Sequence, residues 1–266
     1  MDKLQQIVGV KRGEVEQARG LVSIDELQRA AHFGRSPRSL SASLRSAAPG
    51  VIAEMKRRSP SKGDINKDAR VGEVVAGYAR AGAAGISVLT DRQFFGGSQE
   101  DLLTARKLVE TPLLRKEFIV DTYQIIESKA LGADAILLIA AVLDPDQVRS
   151  FTGLAHSIGL EVLLEVHDLE ELQATLGSGA DMIGVNNRNL KTFQVDLDTS
   201  RQLIRHIPKG VQAVAESGIE DPAVVLDLPA AGYSGFLIGQ RFMETADPGE
   251  SCAAFISRIR HSTPNH

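Results

Sequence analysis

Glu54 and Lys56 end a short apolar run that begins at Val51 and leads into a loop rich in Ser, Pro and Gly. Alternate residues of a strand project to the same face, so the carboxylate and the ammonium are predicted to point the same way. A carboxylate and an amine can exchange protons and stabilise oxyanions. They can equally form an ordinary salt bridge, and only the later strands discriminate between the two.

Later apolar runs also end in polar side chains. Lys116 shares a face with Leu114 and Phe118, whereas Arg115 and Glu117 lie on the other face. An ionised group directed at a layer of helices is costly, so charges are expected on the opposite face. Polar groups from several strands are predicted to converge at one mouth: Glu54, Lys56, Lys116, Glu165, Asn186, Arg188 and Glu216.

The alternative interpretation of this set is a structural salt-bridge network that plugs the mouth. Stability does not require so many desolvated charges in one place, because each costs free energy to bury. Convergence from separate strands therefore favours a catalytic or binding site.

The elements that must position these groups follow a regular order. Eight strand-like runs alternate with helix-sized intervals, several of which open with a capping residue such as Ser98 or Asp144. Alternation of this kind forces parallel pairing with right-handed crossovers and predicts an α/β fold, a (β/α)8 TIM barrel. An open doubly wound sheet is the alternative, but no strand is followed by G-x-G-x-x-G. The predicted strands are Val51–Lys56, Gly85–Thr90, Pro112–Ile119, Ala135–Ala140, Glu161–Val166, Met182–Asn187, Gln212–Ser217 and Gly235–Gln240.

Residues 1–48 precede this pattern and predict an N-terminal helical extension packed on the barrel. Leu4, Ile7 and Val15 recur at helical spacing, and Ser23 with Glu26 forms a capping box that opens a second helix. The alternative is a disordered arm. The predicted organisation is thus an extension, residues 1–48, and one catalytic barrel domain, residues 49–266.

Composition excludes several functional classes. The chain has 266 residues, a formal charge of -4 and one cysteine, Cys252, which argues against nucleic acid as a partner and for a reducing, cytoplasmic compartment. No apolar run reaches the length of a membrane helix. The six histidines form no close metal cluster, so neither metal nor cofactor is expected, and a barrel of this length suffices as a monomer.

Two features indicate a phosphorylated, ring-bearing small molecule as ligand. Ser217-Gly218 and Gly239-Gln240 end the last two strands, where TIM barrels commonly bind phosphate through backbone N–H groups. Tight turns would use the same glycines. Phe95 and Phe118 lie near the mouth and can flank a planar ring, although ordinary packing explains them as well.

Two arginines in the first loop, Arg57 and Arg58, are interpreted as a solvated loop face, since no interleaved aromatic residues suggest nucleic-acid binding.

Several segments together resemble the indole-3-glycerol-phosphate synthase family. The first, Ile52-Ala-Glu-Met-Lys-Arg-Arg-Ser-Pro-Ser-Lys-Gly63, is similar to the family signature. Other segments match in family order across the whole chain: Leu89-Thr-Asp91, Phe95-Gly-Gly-Ser98, Leu114-Arg-Lys-Glu-Phe118, Leu164-Glu-Val-His167, Ile183-Gly-Val-Asn-Asn-Arg-Asn-Leu190, Ala215-Glu-Ser-Gly-Ile219 and Leu237-Ile-Gly239.

The resemblance implies a carbon-carbon lyase of tryptophan biosynthesis. Its reaction converts 1-(2-carboxyphenylamino)-1-deoxyribulose 5-phosphate to indole-3-glycerol phosphate, carbon dioxide and water. By the resemblance Lys116 is the general acid toward the carbonyl oxygen, Glu165 the base for dehydration and Lys56 a second acid or electrostatic group.

The remaining roles implied by the resemblance concern binding. Glu54, Asn186 and Glu216 would orient hydroxyls and the lysines, and Arg188 would meet a carboxylate. The predicted binding residues are Ser59, Pro60, Ser61, Phe95, Phe118, Arg188, Leu190, Ser217, Gly218, Gly239 and Gln240. The first three lie on a loop expected to close over the substrate.

The sequence departs from the family in two places, and two rivals stay open. Glu117 stands where the family more often has Asp, and Gln240-Arg241 follows Gly239 where many members carry a small or acidic residue. Another phosphate-binding barrel, such as phosphoribosylanthranilate isomerase, is the nearest rival, although it would lack the Glu54/Lys56 pair. A non-catalytic barrel that binds phosphorylated metabolites is the second.

Overall fold

The computed structural model describes residues 3–47, 49–190 and 192–262. Its centre is a closed barrel of eight parallel strands in which the first strand pairs with both the second and the last, so the predicted (β/α)8 fold is confirmed and the open sheet is excluded. The strands are β1 Gly50–Met55, β2 Gly85–Leu89, β3 Leu113–Lys116, β4 Ala135–Ile139, β5 Glu161–Val166, β6 Met182–Asn186, β7 Gln212–Glu216 and β8 Gly235–Ile238.

Helices precede the barrel and alternate with its strands. Ser98, Asp144, Asp168 and Asp221 each cap a helix as predicted, because each side chain accepts a backbone N–H of the first turn. The helices are α1 Lys3–Leu21, α2 Ile24–Gln28, α3 Leu40–Ser46, α4 Val71–Ala81, α5 Gln99–Leu108, α6 Thr122–Ala130, α7 Pro145–Ser157, α8 Leu169–Thr175, α9 Asp198–Leu203, α10 Pro222–Ala231, α11 Gln240–Met243 and α12 Pro248–Ser262.

The apolar core has two layers separated by the sheet. One layer lies between strands and helices, and the other fills the lumen with residues such as Ile52, Leu114 and Leu163. Leu40 and Leu44 of α3 belong to the lumen layer and close the amino-terminal end of the barrel. The amino-terminal end of the lumen is thus closed by leucines, and the cavity opens at the opposite, carboxyl-terminal end.

The helices before the barrel contact it through charged groups as well as leucines. Lys11 of α1 is buried, and its Nζ lies 3.1 Å from Asp91 Oδ2 and 3.0 Å from Glu117 Oε1. Arg35 lies 2.7 Å from the buried Asp134 carboxylate. The capping box of Ser23 and Glu26 forms as predicted, but α2 then ends at Gln28. The division at residue 48 remains a prediction, and residue 48 itself lies outside the described residues.

One expectation about charge was wrong. Arg57 is not solvated: its guanidinium makes a bidentate contact with Asp101 at 2.6 and 3.0 Å. Arg115 lies on the face opposite Lys116, as predicted, and is fully buried against α6. Its cost is offset because Glu127 lies 2.7 Å away and hydroxyl and carbonyl oxygens accept its other N–H groups.

The first loop contains a feature that the sequence pattern did not indicate. Residues Arg58–Ser59 pair antiparallel with Gly63–Asp64, which folds the loop between β1 and α4 into a short hairpin. Arg58, on its outer side, is half exposed and pairs with Asp64 at 2.6 Å, so this arginine does lie on a solvated face.

Among the described residues, no helix combines the length and apolar character needed to cross a membrane.

Candidate active site

One cavity opens at the carboxyl-terminal end of the barrel, and every residue predicted for the site lines it. The predicted residues found there are Glu54, Lys56, Ser59, Pro60, Ser61, Phe95, Lys116, Phe118, Glu165, Asn186, Arg188, Leu190, Glu216, Ser217, Gly218, Gly239 and Gln240. The period of two along each strand brings them together, because alternate residues of β1, β3, β5, β6 and β7 face the lumen.

Lys116, the last residue of β3, lies at the centre of the charged groups. Its Nζ donates to Glu165 Oε2 at 2.9 Å and to Glu216 Oε2 at 2.6 Å. Burial disfavours the ammonium form, but the negative charges of Glu165, Glu216 and Glu54 outweigh that effect and raise the pKa of Lys116. The group is therefore a protonated donor at rest, held between two carboxylates.

Glu216, the last residue of β7, is a buried carboxylate whose negative charge the Lys116 ammonium balances only in part. Burial raises its pKa, Lys116 opposes this and Glu165 adds to it, and the net direction is upward. Its Oε1 is buried without a hydrogen-bond partner among the described residues, so it is free to accept a ligand hydroxyl. A Cβ on Gly184 of β6 would overlap that oxygen, and the absence of a side chain at this position makes room for Glu216.

Glu54 and Lys56 form the second charged pair. Lys56 Nζ lies 2.6 Å from Glu54 Oε1, and Glu54 is buried whereas Lys56 is partly exposed toward the mouth. A Cβ on Gly239 would come within 2.7 Å of Glu54 Oε1, so the glycine at the tip of β8 gives the carboxylate its place. Lys56 is thus a partly exposed cation beside the lumen, as its place at the strand end predicts.

Glu165 of β5 has partners on both oxygens. Lys116 binds Oε2, and Asn186 Nδ2 donates to Oε1 at 3.1 Å. His167 Nε2 also lies 3.2 Å from Oε1. Burial raises the pKa of Glu165, but Lys116 and His167 outweigh burial and lower it well below its usual value. Glu165 is therefore ionised and held in one orientation.

Apolar side chains line another part of the cavity. The Phe95 and Phe118 rings lie 5.9 Å apart at 41°, and Leu137 and Ile139 of β4 contribute the floor. Leu190 and Phe193 come from the loop after β6. A planar ring can insert among these side chains without displacing the charged groups.

Backbone geometry at the ends of β7 and β8 suits an anion. Ser217 and Gly218 have positive φ values of 66° and 76°, which turn the chain sharply after Glu216. Asn187 Nδ2 fixes this turn by donating to the carbonyl oxygens of Glu216 and Ser217 at 3.1 and 3.2 Å. The short helix α11 follows Gly239, as expected for a barrel that binds phosphate here.

Ser59, Pro60 and Ser61 approach the cavity from the hairpin after β1. Ser59 Oγ accepts the backbone N–H of Lys62 at 3.2 Å and lies 3.3 Å from Ser61 Oγ. The Arg57–Asp101 contact fixes the base of this loop, and Lys62 Nζ at its tip lies 3.9 Å from Glu244 Oε1 in an exposed pair. Ser59, Pro60 and Ser61 therefore lie at the rim of the cavity, where they can approach a ligand.

Sequence reasoning missed the contributions of the N-terminal helix. Lys3, Leu4 and Ile7 line the cavity. Lys11 binds the two carboxylates that hold the ring-lining segments: Asp91 accepts the Phe95 N–H at 3.1 Å, and Glu117 accepts the Phe118 N–H at 2.8 Å. One signal was available, because Lys11 is charged yet lies on the apolar stripe with Ile7 and Val15.

His167 was the second omission, since no role was assigned to it. Its Nδ1 lies 3.0 Å from Glu171 Oε2, and the backbone N–H of His167 donates to the same oxygen at 2.8 Å. Burial lowers the pKa of His167, but the two carboxylates outweigh burial and raise it to about 10. The spacing Glu165-x-His167, which directs a residue just past the end of β5 to the same side as Glu165, was the signal that would have found it.

Groups of three or more His, Cys, Asp or Glu side chains arranged to hold a metal ion do not occur in the described part of the chain.

Comparison with known proteins identifies relatives along the whole chain. A family model described as Indole-3-glycerol phosphate synthase matches residues 4–255. Curated proteins with this name include one from Bacteroides thetaiotaomicron, 48% identical over 97% of this chain and 99% of its own length. Another, from Bordetella pertussis, is 44% identical over 96% of this chain and 99% of its own length.

A solved structure supports the fold alone. Thiamine phosphate pyrophosphorylase from Pyrococcus furiosus aligns with a TM-score of 0.60 at 16% identity, covering 83% of this chain and 99% of its own.

Proposed function

The chain belongs to the indole-3-glycerol phosphate synthase family, and from this premise we propose how its side chains divide the work of the family's reaction. The enzyme is a carboxy-lyase of tryptophan biosynthesis. It closes the indole ring of 1-(2-carboxyphenylamino)-1-deoxyribulose 5-phosphate, with loss of carbon dioxide and water, to give indole-3-glycerol phosphate. The isomerase-like and binding-only alternatives are set aside, because the family match spans nearly the whole chain.

Lys116 donates a proton to the carbonyl oxygen in the ring-closing step. The carboxylate-bearing ring carbon attacks the carbonyl carbon, and a new carbon-carbon bond forms as the oxygen becomes a hydroxyl. Loss of carbon dioxide then returns the bonding electrons to the ring. The observation that carries this assignment is the position of Lys116 Nζ, charged and fixed between Glu165 and Glu216 at the centre of the cavity.

Glu165 acts in the later step, in which the hydroxyl leaves as water. Glu165 removes a proton from the new five-membered ring, at the carbon next to the one that bears the hydroxyl, and Lys56 protonates the leaving hydroxyl. The double bond that forms between these two carbons makes the indole aromatic. The support for Glu165 as base is its ionised state and its single orientation, which Lys116 and Asn186 maintain. Lys56 is suited to the second acid role because it lies at the mouth, paired with Glu54.

The other side chains bind and orient the substrate. Glu54, Glu216 and Asn186 meet the hydroxyls of the ribulose chain, and Arg188 meets the substrate carboxylate. The phosphate binds at the ends of β7 and β8, to Ser217, Gly218 and Gly239. Lys56 and Gln240 lie nearby.

The anthranilate ring lies against Phe95, Phe118 and Leu190, and the hairpin residues Ser59, Pro60 and Ser61 close over it.

The experiment that tests this proposal mixes the purified chain with the carboxyphenylamino substrate and follows indole fluorescence and carbon dioxide together. The chain contains no Trp, so the product fluorescence stands almost alone. Lys116→Met is expected to lower kcat by about 10²–10⁴-fold, because a positioned general acid commonly contributes that much. Lys209→Met, at an exposed position, is the control. Full turnover by Lys116→Met would refute the assignment.

Two further properties belong to the proposal. A monomer is sufficient, since every side chain assigned a role here lines a cavity within one chain. A reducing, cytoplasmic compartment is supported by cysteine usage, because the chain has a single cysteine, Cys252, and can form no internal disulfide.

A further inference from the structure

Three charged side chains in contact, those of Glu165, His167 and Glu171, run from the lumen toward the surface. His167 lies two residues after Glu165, and Glu171 lies one helical turn further on, in α8. The imidazole bridges the two carboxylates, with Nε2 at 3.2 Å from Glu165 Oε1 and Nδ1 at 3.0 Å from Glu171 Oε2. His167 does not line the cavity and is nearly buried, whereas Glu171 is partly exposed.

The Nε2 atom of His167 makes the arrangement unusual. It is buried and has no aligned hydrogen-bond partner among the described residues, although the Glu165 oxygen is within ion-pair distance. Burial of a donor without an aligned acceptor costs free energy. Packing alone gives no reason to keep such a group 3.2 Å from the proposed base, and the contact with Glu165 is that of an ion pair.

The proposed reaction itself creates a need for a second cation near Glu165. Once Lys116 has given its proton to the carbonyl oxygen, it is a neutral amine and no longer balances the carboxylate. Glu216 lies on the same amine at 2.6 Å, and Glu54 is a further negative charge close by. Asn186 donates a hydrogen bond but carries no charge. Buried among these groups, Glu165 would tend to become protonated before its own step.

We infer that His167 is a positioning residue whose imidazolium keeps Glu165 ionised and oriented through the interval in which Lys116 is neutral. Glu171 keeps the imidazolium charged and fixes its ring orientation through Nδ1. No bond to substrate is made by either residue. This inference rests on the proposed role of Glu165 as the base of the dehydration step.

The charge of the His167 imidazole supports this role. Burial disfavours the imidazolium, but the two carboxylates outweigh burial and raise the pKa of His167 to about 10. Next to burial and Lys116, His167 is the strongest influence on the pKa of Glu165, and it acts to lower it. The imidazole therefore remains a cation across neutral pH and does not depend on Lys116 for its charge.

The test substitutes His167→Gln and measures carbon dioxide and indole separately in a single turnover. Glutamine can still donate to Glu165 but carries no charge. Carbon dioxide release should keep its rate, while indole formation should slow by about tenfold and its acidic pH limit should move up by about one unit, since one pKa unit is tenfold. An equal slowing of both signals, or no shift of the acidic limit, would overturn the inference.

Two further variants keep the test decisive. Glu171→Gln removes one carboxylate from the imidazole and lowers its pKa, so the lag of indole behind carbon dioxide should grow as the pH rises; a lag independent of pH would count against the inference. His156→Gln alters a His–carboxylate pair on the surface, 2.9 Å from Asp181, and should change neither signal.

Failure of this inference can be told apart from failure of the proposed function. If Glu165→Gln does not delay indole formation after carbon dioxide release, the assignment of the base is wrong. If Glu165→Gln delays it but His167→Gln does not, only the role of His167 is wrong.

Discussion

Replacement of Lys11 by methionine removes the one ammonium that serves two buried carboxylates beside the ring-binding wall. Lys11 is 4% exposed, and its Nζ lies 3.1 Å from Asp91, 3.0 Å from Glu117 and 2.6 Å from Glu14. Burial disfavours its charge, but Glu117 and Asp91 outweigh burial and raise the pKa of Lys11. Methionine keeps the length and the packing of the side chain and deletes only the charge.

The expected cost of Lys11→Met is about 3 kcal/mol in the free energy of unfolding. Breaking a buried ion pair by removing one partner costs about 3–5 kcal/mol. The lower end applies because both carboxylates keep hydrogen bonds: Asp91 accepts two backbone N–H groups, and Glu117 accepts the Phe118 N–H and the Thr90 hydroxyl. The KM for substrate should rise as well, because these bonds position the phenylalanines of the wall.

Urea unfolding followed by circular dichroism measures this cost. Arg12→Met, an exposed change in the same helix, is the control and should lie within about 0.5 kcal/mol of the unsubstituted chain. The double variant Lys11→Met/Glu117→Gln should recover part of the loss, since it strands one carboxylate fewer. A loss below about 1 kcal/mol, the range of exposed pairs, with no recovery in the double variant, would refute the reasoning.

Three further predictions follow from single contacts. Gly184→Ala should lower kcat by about 10–100-fold, measured by indole fluorescence, because its Cβ overlaps Glu216 Oε1 and displaces that carboxylate. Arg57→Lys should lose the bidentate contact with Asp101 and cost about 1–2 kcal/mol in urea unfolding. The pKa of His167 rises on folding to about 10, so its stabilisation is complete below pH 6.5 and is lost as the pH rises through 10. The melting temperatures of the unsubstituted chain and His167→Gln should therefore converge over that range, and a constant gap would contradict the shift.

Much of the site was predictable because a strand has a period of two. Once Glu54, Lys116, Glu165 and Glu216 stood on the lumen face of their strands, closure of the barrel brought them together. Strand ends were predicted less well: the third strand was expected to reach Ile119 but ends at Lys116, because the Glu117 carboxylate binds the N–H of Phe118 instead of leaving it to the sheet.

What could not be predicted depends on partners distant in sequence. Arg57 resembled a solvated loop residue because Asp101, its partner, lies on a later helix. Arg115 was expected on the face opposite Lys116, but its counter-ion, Glu127 in α6, could not be identified from spacing. The contribution of Lys11 likewise depends on how α1 packs on the barrel, which a helical period does not specify.

One measurement tests the central claim, that Lys116 acts before carbon dioxide leaves and Glu165 acts afterwards. In a single turnover of Glu165→Gln, carbon dioxide release should proceed while indole fluorescence lags behind it. Lys116→Met should slow both signals together, by about 10²–10⁴-fold. The account is contradicted if Glu165→Gln slows the two signals equally, or if Lys116→Met releases carbon dioxide at the rate of the unsubstituted chain.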